Sequence, residues 1–238
     1  MNFIGIDLSL TSTGISLYNK NGYKYLSFMK NYNKATKWTK LIDSYVSIHN
    51  VTYKYSDDYS ENEVFKIYDY DNNMNFIVDE IKKYLVEGKT LVAIEGYSYA
   101  SGNTVSLLDL IALGTILRNK IKNNIVNSEI HIYSPSSLKQ GCCGLVYGWE
   151  EKGKKTITYS TRSVDGIAGG NFKKHQMLKA LYDYPCDSNL SKFIKENFQE
   201  LYKMSTIPSP IPDLVDSYWL LKVLLNDKIF HIKKIIKK

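Results

Sequence analysis

Four carboxylates stand apart by their positions. Asp7 and Glu95 close two short apolar runs, Phe3-Ile4-Gly5-Ile6 and Leu91-Val92-Ala93-Ile94. Asp213 and Asp216 lie at i and i+3 at the start of an apolar stretch that continues to Leu225, so on a helix they share one face. Carboxylates at the edges of apolar elements are costly unless something compensates them. Four of them gathered at one point would repel, and at least one would be driven to protonate. Two divalent ions remove that conflict. An all-oxygen set suits Mg²⁺, which keeps several waters and takes a substrate phosphate as a further ligand. A pair of such ions about 4 Å apart is the clamp used for in-line phosphodiester hydrolysis, one activating the attacking water and the other stabilising the leaving oxygen. Asp7 is the expected bridging ligand, because its strand is the expected centre of the sheet. Each acid alone has a plainer reading: Asp7 as a turn residue, Asp213 as a helix-start residue favoured by the dipole. Only the set points to this chemistry.

The elements that must position these acids are legible in outline. Residues 2–7 read as a buried strand, followed by a turn-rich stretch at 9–14 and a second strand at 15–18. Asn19-Lys20-Asn21-Gly22 is a hairpin signal, with 23–29 as the return strand. Residues 30–70 show strand fragments around 45–55 and no clear helical period, and are expected to be an elaboration beside the core. Asp71 or Asn72 is placed to cap a helix with Met74, Ile77, Val78, Ile81 and Leu85 at helical spacing, ended by Gly88. Residues 90–95 have the unbroken apolar character of a strand buried on both faces. A helix over 104–123 and a short strand at 130–133 follow. The glycine-rich segment 141–170 reads as a loop or small hairpin excursion. Helices are expected at 171–182 and 190–203, and a last one from Asp213 through Leu225 after the Pro-rich run 207–212. This is an α/β layout: a mixed sheet of three antiparallel strands then parallel strands, flanked by helices, forming one domain over 1–238 with insertions at about 30–70 and 141–170.

Composition bounds the setting. With 238 residues, 44% hydrophobic and 23% charged, the chain falls in the globular range. The net charge of +7 fits a polyanionic partner such as nucleic acid. The cations are nearly all Lys, with Arg only at 118 and 162, and Lys, Asn, Ile and Tyr are abundant throughout, as an AT-rich coding sequence produces. There is no secretory signal pattern and no apolar stretch of membrane-spanning length. Cys142, Cys143 and Cys186 have no metal-binding spacing and read as reduced structural thiols. The expectation is a soluble protein of the cytoplasm, that of a bacterial host if the source is a phage.

The segment Phe3-Ile4-Gly5-Ile6-Asp7-Leu8-Ser9-Leu10-Thr11-Ser12-Thr13-Gly14 resembles the opening motif of the RuvC-type Holliday junction resolvases, members of the ribonuclease H-like superfamily. Ala93-Ile94-Glu95-Gly96 is similar to that family's second acidic strand, and Ser134-Pro135-Ser136-Ser137-Leu138-Lys139-Gln140 to its Ser-Pro-x-x-x-Lys-Gln segment. Lys174-His175-Gln176-Met177 resembles its later helix start, and Asp213-Leu214-Val215-Asp216-Ser217 its terminal Asp-x-x-Asp helix. The five occur in family order. The resemblance implies a ribonuclease H-like fold and a Mg²⁺-dependent endonuclease acting on four-way DNA junctions, with Mn²⁺ as a substitute ion. It implies that Asp7, Glu95, Asp213 and Asp216 are metal ligands and that Lys174 is catalytic. Lys139, Lys173 and Lys174 would meet the DNA near the scissile phosphate, Tyr97 or Tyr99 would supply an aromatic at the junction, and the helix over 104–123 would pair two copies.

Two departures stand out. Asp7-Leu8-Ser9 replaces the family's usual Asp-Pro-Gly, as in divergent phage and viral members, and the stretch between Lys139 and Lys174 is longer than in the bacterial enzymes. A broader branched-DNA or flap nuclease, or a ribonuclease of the same fold, fits the same acids. The opening Gly-Ile-Asp with Thr-x-Thr-Gly also suits sugar-kinase and actin-like ATPases. Those need a second Asp-x-Gly phosphate loop and usually a longer, two-lobed chain, and neither feature is found.

Overall fold

The computed structural model describes residues 1–32, 36–97, 104–148, 163–186 and 188–226. Its chain opens with β1 (Asn2–Asp7), β2 (Ser12–Asn19) and β3 (Gly22–Lys30), two antiparallel pairings joined at the second turn by Gly22 with φ of 93°. A short α1 (Lys37–Ile42) leads to β4 (Ser47–Val51), and the long α2 (Tyr59–Lys82) to β5 (Thr90–Glu95). Then come α3 (Thr104–Asn124), β6 (Ser128–Tyr133) and α4 (Pro135–Tyr147). A two-stranded hairpin, β7 (Ser163–Val164) with β8 (Ile167–Ala168), precedes α5 (Lys174–Asp183), α6 (Asn189–Lys203) and α7 (Ile211–Leu225).

Six strands form the main sheet in the order β4-β3-β2-β1-β5-β6. β5 runs parallel to β1, β6 to β5 and β4 to β3. This is the expected arrangement of an antiparallel trio continued by parallel strands, with β4 added at the far edge. Strand side chains alternate between faces. Ile4, Ile6, Ile15, Leu17, Val92 and Ile94 pack on one side against Met74, Ile77 and Ile81 of α2 and Leu113, Leu117 and Ile121 of α3. Tyr25 and Ala93 face a second core built from α4 to α7, together with Trp38 and Ile42 of α1. The sheet is therefore sandwiched between two helical layers.

The centre of that second face is stripped of side chains. Gly5 of β1 and Gly14 and Ser16 of β2 lie side by side there, because Gly5 pairs with Ser16 and Asp7 with Gly14. α7 rests directly on them: a Cβ on Gly5 would fall on the Ser217 carbonyl oxygen and 2.6 Å from the Leu221 nitrogen. One on Gly14 would fall on the Asp213 carbonyl and 2.8 Å from the Leu214 nitrogen. Ser16 and Ser217 join hydroxyls at 2.9 Å across the same contact. Here glycine is required by close backbone approach rather than by a turn.

Three expectations are corrected. Residues 30–70 are not without helices: they hold α1 and the first three turns of α2, which begins at Tyr59 and not at Asp71 or Asn72, while β4 falls within the strand fragments expected around 45–55. The period is hidden because those turns bury almost nothing, leaving Tyr59, Val64, Ile67 and Tyr68 exposed. The cap is nonetheless written in the sequence, since the Asp58 carboxylate accepts the Glu61 N–H at 2.8 Å. Second, residues 141–147 are helix, not loop. Pro135 sits in the first turn of α4, the Ser134 hydroxyl caps it, and Gly141 and Gly144 are buried beside Cys142 and Cys143. These glycines serve packing; among the described residues the hairpin of β7 and β8 fits the expected excursion, and residues 149–162 lie outside them. Third, α7 starts two residues earlier than expected, at Ile211, with Asp213 inside its first turn.

Candidate active site

The strand register delivers the first two acids together. Ile6 pairs with Ile94, so Asp7 and Glu95 leave neighbouring parallel strands side by side, on the face where α7 lies. Glycine at positions 5 and 14 brings α7 onto the sheet, and the first two turns of that helix carry Asp213 and Asp216 to the same point. α5 arrives from the other side. The Trp219 indole N–H donates to the Met177 carbonyl at 3.1 Å, tying α5 to α7, and Gln176 accepts the Lys173 N–H at 3.1 Å to close the start of α5. Lys174 opens α5, with its ammonium bonded to the Asp216 carboxylate and 3.9 Å from that of Asp7.

Asp7 feels all three of the other acids. Asp7 is only 5% exposed and Asp216 6%. Burial pushes the Asp7 carboxyl well above the ordinary range; Asp216, Glu95 and Asp213 add to the push and Lys174 opposes it. Glu95 is raised by burial and then by Asp216, while Lys174, the Asp7 carboxyl and Lys139 pull it back. Asp213 is pushed up to about 6 by burial, against Lys174 and the hydroxyls of Ser12 and Ser209. For Lys174, burial favours the neutral amine, but Asp216 and Asp7 outweigh it and hold the ammonium charged. Lys174, with Lys139 acting on Glu95, is thus set against four carboxylates, and the cluster is under-compensated.

Oxygen donors with surplus negative charge are what a hard divalent cation takes. The Asp216 Oδ1 is buried without a hydrogen-bond partner, an acceptor with a lone pair still to fill. The residues therefore fit Mg²⁺. Among the described residues no three His, Cys, Asp or Glu side chains already stand in a ligating array, and the cation in the cluster is the Lys174 ammonium.

A pH dependence follows from this electrostatics. Asp213 moves from 3.8 to about 6, and Asp7 and Glu95 move the same way. A carboxyl whose pKa is higher in the folded state contributes stability that is full below its unfolded value and lost as pH rises through the folded value. In EDTA, wild-type protein is expected to lose thermal stability relative to Asp213→Asn as pH rises from about 4 to about 7. Saturating Mg²⁺ at neutral pH should raise the wild-type melting temperature. Calorimetry showing no effect of Mg²⁺ on that temperature would refute the site.

The other residues singled out in the sequence divide. Lys139, in the second turn of α4, acts electrostatically on Glu95, and Lys173 is exposed at the start of α5. Tyr99 lies outside the described residues. Tyr97 is turned inward: its hydroxyl donates to the Ile111 carbonyl of α3 at 3.2 Å, and the Arg118 guanidinium lies 4.6 Å from its ring centroid. Gly114 leaves room for that ring, since a Cβ there would meet the Tyr97 hydroxyl. Tyr97 thus fastens the chain just beyond Glu95 to α3. Tyr97→Ala is expected to cost about 2 kcal/mol of stability in urea unfolding and to leave DNA affinity unchanged. A base contact would give the reverse. Sequence reading missed the part played by Gly5, Ser12, Gly14 and Ser209. The run Thr11-Ser12-Thr13-Gly14 was the available signal.

No protein-family model matches the chain, and no curated protein does. Among solved structures it is similar to Thermus thermophilus RuvC in complex with a Holliday junction substrate, at 9% identity and a TM-score of 0.43 over 99% of both chains. A second Thermus thermophilus RuvC structure has 10% identity and a TM-score of 0.41, over 96% of this chain and 98% of that one. The yeast mitochondrial Holliday junction resolvase has 12% identity and a TM-score of 0.45, over 92% of this chain and 75% of that one. Likeness at this level assigns no residue. Among the described residues no helix is long and apolar enough to cross a membrane.

Proposed function

We propose that this chain is a divalent-metal-dependent endonuclease for branched DNA, resolving four-way junctions by phosphodiester hydrolysis. The observation that carries the reading is the convergence of Asp7, Glu95, Asp213 and Asp216 beside the Lys174 ammonium, at the ends of two parallel strands and the start of α7. Those four side chains would hold two Mg²⁺ ions, or Mn²⁺ in their place. The ions supply, when bound, activation of the attacking water and stabilisation of the leaving oxygen.

The chain's own residues do the remaining work. Strand register sets Asp7 and Glu95 side by side, which suits a site organised before substrate binds. Lys174, held charged, is placed to meet a phosphate oxygen once the acids are otherwise neutralised, and Lys139 and Lys173 extend positive charge along the same side. α3 leaves Val105 and Leu108 exposed near its start, apolar surface that fits the pairing of two copies. A two-fold dimer would set two such sites for paired nicks in one junction.

The test is direct. Purified protein with Mg²⁺ is incubated with end-labelled four-way junction, flap, duplex and RNA–DNA hybrid. Symmetric nicks in the junction support the reading. Equal cutting of flaps widens it to branched DNA in general, cleavage of the hybrid alone converts it to a ribonuclease, and no cleavage of any substrate refutes it.

A further inference from the structure

The hairpin of β7 and β8 stands just before α5 in the chain, and its construction is local. Val164 pairs with Ile167, leaving Asp165-Gly166 as a turn with φ of 52° and 77°. That mirror-image turn matches the twist of paired strands, and Asp-Gly takes it readily. Val164 is buried in the core shared by α4 to α7, which seats the hairpin against those helices. The turn's carboxylate has a partner as well: the hydroxyl of Tyr202, in the last turn of α6, donates to it.

Tyr202 is joined to the start of α5 by two routes. Its ring meets that of His175 edge to face, with centroids 5.8 Å apart. A carbonyl can only accept, so His175 Nε2 carries its proton and donates to the Met204 carbonyl at 2.8 Å, just beyond α6. By the second route, burial and then the bond to Asp165 push the Tyr202 phenol up to about 12, against a hydrogen bond from the Gln176 side chain. The oxygen of that same amide accepts the Lys173 N–H at 3.1 Å. A line of hydrogen bonds therefore runs from the Asp165 carboxylate through Tyr202 and Gln176 to the backbone of Lys173, and members of such a line polarise and strengthen one another. Lys174 is the residue between the two held points, Lys173 and His175. Its own side chain is 49% exposed, so where its charge falls depends on where the first turn of α5 is fixed.

We infer that Tyr202 is a positioning residue for Lys174: it fastens the hairpin turn to the start of α5 and thereby sets where the Lys174 ammonium meets the scissile phosphate. The inference rests on the nuclease reading and gives the hairpin a part in it. Tyr202 itself touches no substrate. A small displacement of a charge that must meet a phosphate in one geometry is felt in the rate of the chemical step far more than in binding.

Three variants test this, with melting temperatures to verify folding. Tyr202→Phe keeps the ring contacts to His175 and Phe198 and deletes the hydroxyl. Asp165→Gly removes the carboxylate at a turn position that glycine adopts freely, and Asp165→Asn keeps an acceptor there. With saturating protein and Mg²⁺, single-turnover cleavage of a four-way junction by Tyr202→Phe and by Asp165→Gly is expected to be about fivefold slower than by wild type. Asp165→Asn should restore the rate, and junction affinity in EDTA should stay within about twofold of wild type in all three. In a Lys174→Met background Tyr202→Phe should cost nothing further, since a residue that acts through Lys174 then has nothing to position. Without DNA or metal, hydrogen exchange at the Lys173 and Met177 amides, which close the first turn of α5, should be about fivefold faster in Tyr202→Phe. A cleavage rate or an exchange rate unchanged in Tyr202→Phe, or an equal loss in the Lys174→Met background, overturns the inference and leaves the nuclease reading standing. Wild type that cleaves no branched DNA overturns the nuclease reading and this role with it.

Discussion

Asp7→Asn is expected to lower Mg²⁺-dependent cleavage by on the order of a thousandfold or more, the several kcal/mol of charge stabilisation that a metal centre contributes. Asp7 is the most interconnected acid of the cluster: Asp216, Glu95 and Asp213 all raise its carboxyl, and Lys174 lies 3.9 Å away. Asparagine keeps the shape and removes one negative charge. The same change should therefore leave the metal-free protein as stable as wild type or more so, because a buried repulsion is relieved. Opposite effects on rate and stability separate a metal ligand from a structural carboxylate, whose loss lowers both. Single-turnover cleavage and calorimetry in EDTA measure the pair. Activity within about tenfold of wild type would remove Asp7 from the site.

Gly14→Ala is expected to destabilise the fold by about 3 kcal/mol and to lose most of the activity that remains in the folded fraction, a cost at the upper end of overpacking because the obstacle is backbone. The added methyl meets the Asp213 carbonyl, so α7 must lift from the sheet exactly where it carries a ligand. Gly5→Ala meets α7 one to two turns further on, at Ser217 and Leu221, and should match it in stability. Displacement there falls beyond Asp216, so activity per folded molecule should suffer less. Urea unfolding midpoints, combined with cleavage corrected for folded fraction, distinguish the two. Equal residual activity in both variants would mean that the glycines serve packing alone.

Much of this arrangement is written locally. Asp7 and Glu95 were visible because an acid closing an apolar strand breaks the pattern of its own neighbours, and Asp213 with Asp216 because i and i+3 share a helix face. The strands at 2–7 and 90–95 fell where their hydrophobicity placed them. What failed locally was decided elsewhere in the chain. The start of α2 faces solvent and carries no apolar period, so only its cap gives it away. Gly141 and Gly144 read as loop because glycine lowers helix propensity, whereas tertiary packing keeps them helical. Gly5 and Gly14 have their reason in backbone about two hundred residues downstream, which no window of neighbouring residues contains.

The seat of α7 on β1 and β2 also sets when the site comes into being. Asp7 lies on the first strand, while Asp213 and Asp216 lie on the last helix, so half of the acid cluster waits for a contact between the two ends of the described chain. Pairings this distant close slowly, after local hairpins and helices are in place. A partly folded or nascent chain would hold a sheet with two acids and without the helix that brings the other two. Completion of the four-acid cluster is therefore a late folding event, gated by a single docking step.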